Sequence, residues 1–189
     1  MLVPFMLQVV SMTAPLGRGQ RPGVCAPLGF WDPIGFYAGV SAGRKRFLEE
    51  AEIKHGRIAM LAAIGFPVAE SYHPLWGGTI DVPSYVAFQA SPLQTFWVDV
   101  LLSVAILEVV SVYTFNNPFE GYEPWTVRDG RDPGDFKFDP LQLAPRGAQG
   151  LAVMKTKERN HGRVAMGAIA VMVLQEALTG EKLFSRLVV

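Results

Sequence analysis

Two nine-residue segments of the chain carry the same potential metal ligands at the same spacing. Glu52 and His55 lie in the first segment, and Glu158 and His161 lie in a second one that starts 106 residues later. Six of the nine aligned positions are identical, which chance does not explain. On a helix, residues three apart lie one turn apart on neighbouring faces. A carboxylate oxygen and an imidazole nitrogen in that arrangement can each ligate a metal ion.

Each copy also carries an arginine five residues after its glutamate. Five residues correspond to a rotation of about 140° around a helix, so Glu52 cannot easily reach Arg57 on its own helix. If the two helices cross symmetrically, Glu52 reaches Arg163 and Glu158 reaches Arg57. These reciprocal ion pairs would join the helices, and each carboxylate would keep lone pairs for a metal ion.

The residue pattern alone leaves other interpretations open. His55 and His161 can be helix histidines without a ligand, although their repetition in one frame favours ligation. The glutamates and arginines can serve the helix contact alone. Glu-x-x-His on two helices is also how di-iron carboxylate bundles hold their metals, with Glu108 or Asp99 as a further carboxylate here. The arginine two residues after each histidine would crowd such a site.

The overall composition excludes several classes of protein. Seventeen Lys and Arg residues balance 17 Asp and Glu residues, so no basic field is available for nucleic acid. The single cysteine, Cys25, excludes an internal disulfide framework and a cysteine-based zinc site. Hydrophobic residues make up 50% of the chain and charged residues 18%, which excludes disorder because much apolar surface can be buried.

Three apolar segments must position the candidate ligands. Residues 58–68 and 164–174 lack the polar face that a soluble three-helix bundle would show at every turn. A membrane location is therefore favoured, although no segment offers about 20 residues without a charge. The sequence predicts helices at about 41–72, 93–115 and 151–178.

The repeat also indicates how these segments are arranged. Because the first and third helices are copies, we expect them to form a crossed pair with pseudo-two-fold symmetry. The middle helix is then an unpaired third. We predict an all-α membrane protein in a single domain over residues 1–189, with an extended arm over about residues 1–28.

Several motifs together give the chain a family likeness. The paired Glu-x-x-His-Gly-Arg-x-Ala-Met helices are preceded by Asp-Pro turns at Asp32 and Asp139, and residues 133–136 lead into the second turn. Over about residues 23–182 the chain resembles the light-harvesting chlorophyll-binding proteins of chloroplasts. Residues 24–33 are most similar to the peridinin–chlorophyll a/c antennas of dinoflagellates, followed by the fucoxanthin–chlorophyll proteins.

The resemblance implies a role for each residue that matches the family's motifs. The two repeat glutamates would ligate chlorophyll magnesium while paired with Arg163 and Arg57 of the partner helix. His161 stands where most members have Asn, and either side chain can supply the magnesium ligand. The full set of magnesium ligands that the resemblance implies is Glu52, His55, Glu108, Glu158, His161 and Gln175.

The resemblance also implies a fold and a function. The fold would be that of chlorophyll a/b-binding proteins, with three transmembrane helices in the plastid thylakoid membrane and a stromal N-terminus. The implied cofactors are chlorophyll a, chlorophyll c and carotenoids of the peridinin, fucoxanthin or diadinoxanthin type. Gln142 replaces the glycine that is usual in the second turn, which would alter a carotenoid contact.

We therefore expect a light-harvesting antenna rather than an enzyme. The implied partners are a photosystem core (I or II), neighbouring antenna subunits and thylakoid lipids. A photoprotective quencher of the same family and a membrane di-iron carboxylate oxidase are the alternatives.

Overall fold

Helices account for the regular structure of the described part of the chain. The computed structural model describes residues 22–24, 29–72, 80–112, 116 and 123–183, apart from the side chains of 110–112. Most of the predicted N-terminal arm lies outside these residues. No β-strand occurs in the described ranges, so the predicted all-α class is confirmed. The helices are α1 (Ala42–Ser71), the short α2 (Ala87–Ala90), α3 (Trp97–Val112) and α4 (Ala148–Thr179), with a 3-10 turn at Pro92–Gln94.

The ends of the two long helices follow from local chemistry. The Ser41 hydroxyl accepts the backbone N–H of Arg44 and so caps the start of α1. Gly180 ends α4 in the left-handed conformation, and its N–H donates to the carbonyl of Glu176 at 2.8 Å. Both helices begin and end within three residues of the predicted limits. The middle helix begins at Trp97 rather than near residue 93, because the 3-10 turn precedes it.

Glycine allows α1 and α4 to cross with their backbones in contact. A β-carbon added at Gly56 would lie 3.0 Å from Gly162 Cα, and one added at Gly162 would lie 2.9 Å from Gly56 Cα. The second distance is shorter than real β-carbon contacts show and the first is tighter than nearly all of them, so a larger residue at either position would push the helices apart. Ala59 and Ala165 are buried one turn further along. The predicted crossed pair is therefore present, centred on the two glycines of the repeat.

The third helix of the predicted set stands away from this pair. Within the described chain, α3 has no close backbone contact with α1 or α4. Its side chains from Trp97 to Val109 are exposed, except for the partly buried Val100. Large apolar side chains such as Leu107 and Ile106 therefore face outward. Apolar surface that protein leaves uncovered marks contact with a partner, a ligand or lipid.

One of the described helices is long and apolar enough to cross a membrane by length and composition. This helix is α4, whose best 18-residue stretch has a mean hydropathy of 1.3. The described part of α3 has 16 residues, fewer than the roughly 20 that a span needs. The first half of α1 is rich in charged residues.

Candidate functional site

The two reciprocal ion pairs predicted from the repeat are present at the crossing. Arg57 Nε donates to Glu158 Oε1 at 2.7 Å, and Arg163 Nε donates to Glu52 Oε1 at 2.6 Å. Each guanidinium reaches across because no side chain separates the two backbones at the glycine contact. The pairs neutralise four charges in the middle of the helix pair.

The carbonyls of two loop glycines accept further hydrogen bonds from the arginines, one in each half of the repeat. A second nitrogen of Arg57 donates to the carbonyl of Gly134 at 2.9 Å, and Arg163 donates to the carbonyl of Gly23 at 2.6 Å. Both glycines have positive φ, 76° and 84°, which favours glycine over other residues. This equivalence was not predicted from the sequence, although both glycines follow a proline.

The glutamates of these pairs retain a possible ligand atom. Each ion pair uses the Oε1 atom, and the side chains of Glu52 and Glu158 are 27% and 32% exposed. A carboxylate bound to one guanidinium nitrogen still has unfilled lone pairs. The second oxygen of each glutamate can therefore bind a hard metal ion that approaches from outside the crossing.

The two repeat histidines are held in an orientation suited to ligation. His55 Nδ1 lies 2.7 Å from the carbonyl of Ala51, and His161 Nδ1 lies 2.8 Å from the carbonyl of Lys157. A carbonyl only accepts hydrogen bonds, so Nδ1 carries the proton, and in the neutral ring Nε2 then carries the lone pair. Both side chains are exposed. Metal-bound histidines commonly donate their other ring N–H to a carbonyl or carboxylate, which fixes the ring and its tautomer.

The remaining predicted ligands lie away from the crossing. Gln175 is exposed on α4, 14 residues after His161 and about 21 Å further along the helix. Glu108 lies on α3, where its carboxylate pairs with Lys54 of α1 at 2.7 Å. The structure therefore places Glu52, His55, Glu158 and His161 at the crossing. Gln175 and Glu108 lie apart from these four residues.

The di-iron alternative lacks a site in the described part of the chain. No three His, Cys, Asp or Glu side chains there are grouped closely enough to hold a metal ion. The repeat glutamates are instead engaged by arginines, and Glu108 is engaged by a lysine. Single ligands, each suited to one axial position on a metal already held by another group, fit the arrangement better than a carboxylate cluster.

A second pair of glutamates at the 106-residue offset was missed by sequence analysis. Glu176 is fully buried and Glu70 is 8% exposed, near the C-terminal ends of α4 and α1. Glu176 accepts the N–H of Tyr85 at 2.9 Å, while Glu70 accepts the N–H groups of Ser84 and Leu183. These carboxylates tie the chain segments that follow α1 and α4 to the helix ends. The signal was the repeat itself, since Glu70 and Glu176 stand at equivalent positions.

The two Asp-Pro turns share one hydrogen-bonding pattern. The Asp32 carboxylate accepts N–H groups of residues 35–37, and the Asp139 carboxylate accepts those of residues 143 and 144. Three residues after each aspartate the backbone is left-handed, at Gly35 in the first turn and at Gln142 in the second. The second turn therefore carries a side chain in a conformation that glycine adopts more easily.

A large groove separates α1 from α3 and the loop before α4. Its volume is about 1230 Å³, above the range of about 300–1,000 Å³ that is typical of small-ligand sites. Apolar residues of α1, α3 and α4 form its walls, together with the loop before α4. The charged residues that the helices contribute to its lining are Lys54, Arg57, Glu108, Lys155, Glu158 and Arg159. A planar apolar group with one hard metal centre suits this combination of walls and ligands.

Comparison with known proteins agrees with the geometry. The sequence profile of the family described as Chlorophyll A-B binding protein matches residues 19–177. The light-harvesting complex stress-related protein 3.2 of Chlamydomonas reinhardtii is 41% identical over 172 residues, covering 88% of this chain and 66% of that protein. The fucoxanthin-chlorophyll a-c binding protein of Isochrysis galbana is 37% identical over 165 residues, covering 85% of this chain and 77% of that protein.

These matches extend over nearly the whole repeat. The profile includes both Glu-x-x-His helices, both Asp-Pro turns and the middle helix. The chain spans less than two thirds of the stress-related relative, at 66% of its length. The chain belongs to the chlorophyll a–b binding family of light-harvesting, pigment-binding proteins, which are not enzymes.

Proposed function

We propose that this chain is a light-harvesting antenna subunit that binds chlorophyll a, chlorophyll c and carotenoids in the plastid thylakoid membrane. The observation that carries the proposal is the pair of arginine-bound glutamates at the crossing, each beside a histidine with its Nε2 lone pair available. A chlorophyll would bring magnesium already held by its own ring, so a single oxygen or nitrogen donor of the chain would suffice to bind it. The chain supplies such donors singly rather than in clusters.

The protein's part in this function is to hold pigments at fixed positions. The ion pairs fix Glu52 and Glu158, and the carbonyls of Ala51 and Lys157 fix the rings of His55 and His161. Because the backbones touch at the crossing, these four donors have fixed separations. Bound chlorophylls and carotenoids would supply light absorption, excitation transfer and the quenching of triplet states.

Three membrane spans, with α1, α3 and α4 crossing the thylakoid membrane, are part of this proposal. Exposed apolar side chains on α3 and α4 support it, because lipid and pigment would cover them. A photosystem core, other antenna subunits and thylakoid lipids are the proposed neighbours. With the N-terminus in the stroma, protease applied to intact thylakoids should cut near Arg18 and Arg21 and spare the region of Gly180. Cutting at both ends from one side would contradict three spans.

Refolding with pigments tests the proposed ligands. The parent chain and Arg57→Leu would be refolded with a mixture of chlorophyll a, chlorophyll c and carotenoid, and bound pigments counted per protein by chromatography. Arg57→Leu leaves the half-buried Glu158 without its partner, which costs about 1–3 kcal/mol. We expect loss of the Glu158 chlorophyll and a lower melting temperature. Lys182→Met, which removes an ion pair with Asp81 away from the crossing, is the control and should keep full pigment content.

Photoprotective quenching is a second candidate function. Stress-related relatives support it, since two such proteins of Chlamydomonas reinhardtii, 3.2 and 1, are 41% and 39% identical to this chain. Fluorescence lifetimes of the pigment-loaded protein separate the two functions. An antenna should keep a long chlorophyll lifetime at neutral and acidic pH, whereas a quencher should show a short lifetime under at least one of these conditions.

A further inference from the structure

The ion pair between Lys54 and Glu108 links the middle helix to the crossed pair. Lys54 Nζ lies 2.7 Å from Glu108 Oε2, and the two side chains are 22% and 57% exposed. The backbones of α1 and α3 do not approach each other closely, so this contact spans the groove between them. Neither copy of the repeat predicts it, because the middle helix has no counterpart in the repeat.

The position of Lys54 on α1 explains why its side chain points towards α3. Lys54 follows Glu52 by two residues, which is a rotation of about 200° around the helix. Glu52 faces α4, where it meets Arg163, and Lys54 faces the opposite side, where it meets α3. One turn of α1 therefore takes part in two carboxylate ion pairs that point in opposite directions.

In the proposed membrane location, the surroundings of Glu108 favour a counter-charge. Neighbouring α3 side chains such as Leu107 and Ile106 are apolar and outward-facing, and Ile53 and Ile58 of α1 line the same groove. An isolated carboxylate in such surroundings is costly, so it is normally paired. An ammonium group is a compact charge that contacts one carboxylate oxygen, and a carboxylate has about four lone-pair sites in all.

We propose that Lys54 is the positioning residue for Glu108, holding this carboxylate over the α1–α3 groove so that it can ligate the magnesium of one chlorophyll. The inference rests on the proposed function and adds a residue to it. Lys54 thus does for Glu108 what Arg57 does for Glu158, with a lysine three residues earlier on α1. The pigment bound by Glu108 depends on Lys54, whereas the pigments bound by Glu52 and Glu158 do not.

The test combines charge removal, a conservative replacement and a compensating change. Lys54→Met keeps the length of the side chain but removes its charge, and it should lose one chlorophyll per protein. Lys54→Arg should keep that chlorophyll. The double variant Lys54→Met with Glu108→Gln should regain it, because a neutral amide oxygen can ligate magnesium without a counter-charge. Each protein is refolded with the same chlorophyll and carotenoid mixture, and its helix content and melting are followed by circular dichroism.

Lys155→Met is the matched control. Lys155 also lines the groove and pairs with an aspartate, Asp132, at 2.8 Å, but that aspartate is not a proposed ligand. Full pigment content in Lys155→Met together with loss of one chlorophyll in Lys54→Met supports the inference. Equal chlorophyll content in Lys54→Met and the parent overturns it and leaves the antenna function standing. If Lys54→Met does not refold, the double variant tests the inference instead. A refolded double variant with full chlorophyll content supports the inference, and one that lacks a chlorophyll overturns it.

Discussion

The Gly162→Ala substitution would place a methyl group at the closest point of the α1–α4 crossing. The added carbon would lie 2.9 Å from Gly56 Cα, whereas ordinary van der Waals contact begins at 3.4 Å. Both atoms are held by helix backbones, so the helices must separate by about 0.5 Å or more. The ion pairs on either side of the contact, now at 2.6 and 2.7 Å, would lengthen with the separation.

The expected change in stability is the balance of two effects. Alanine favours the helix over glycine by about 1 kcal/mol, while overpacking costs about 1–3 kcal/mol. Weakened ion pairs add to the cost, so we expect Gly162→Ala to be destabilised by about 1 kcal/mol or more. Gly167→Ala is the control on the same helix, because an added β-carbon there meets no atom within 4 Å. That variant should gain stability from helix propensity alone, by about 1 kcal/mol.

Both variants would be refolded with pigments, and their unfolding followed by circular dichroism and by the release of chlorophyll. The reasoning predicts that Gly162→Ala melts at a clearly lower temperature than Gly167→Ala and binds less chlorophyll at the crossing. Equal melting temperatures and equal pigment content would refute close backbone contact as the basis of the helix pair.

Three further predictions concern single side chains. His161→Asn should keep its chlorophyll while His161→Leu should lose one, as counted by pigment analysis; a milder effect of Leu than of Asn would indicate a packing residue. Gln142→Gly should raise the melting temperature, because the left-handed conformation of Gln142 (φ 51°) costs a non-glycine residue about 1 kcal/mol. An unchanged melting temperature would show that the turn is unstrained. Glu176→Gln should preserve stability, because the glutamine amide oxygen can still accept the Tyr85 N–H. Glu176→Leu cannot accept it and should be less stable by about 1 kcal/mol. Equal stability of the two variants in chemical denaturation would argue against the Glu176–Tyr85 hydrogen bond as an anchor.

The internal repeat made the centre of the molecule predictable. Identity at equivalent positions implies equivalent environments, and the helical angle between Glu52 and Arg57 disfavours a pair within one helix. The pairing of Glu52 with Arg163 follows from these two facts if the helices cross symmetrically, and the structure contains it. The start of α1 and the end of α4 can also be recognised in the sequence, because Ser41 and Gly180 are strong capping residues.

Features outside the repeated helices could not be derived in the same way. The rotation of α3 depends on contacts across a groove, so the partner of Glu108 was not determined by sequence spacing. The start of α3 was displaced because Pro92 begins a 3-10 turn rather than the α-helix. The equivalence of Gly23 and Gly134 was hidden by different spacings between these glycines and their Asp-Pro turns.

The absorption spectrum of the purified, folded protein tests the central claim most directly. The account predicts a red absorption band of chlorophyll a together with bands of chlorophyll c and carotenoid, carried by protein that migrates as a single species. A helical, folded protein that remains colourless after refolding with these pigments would contradict pigment binding at the arginine-paired glutamates and their neighbouring histidines.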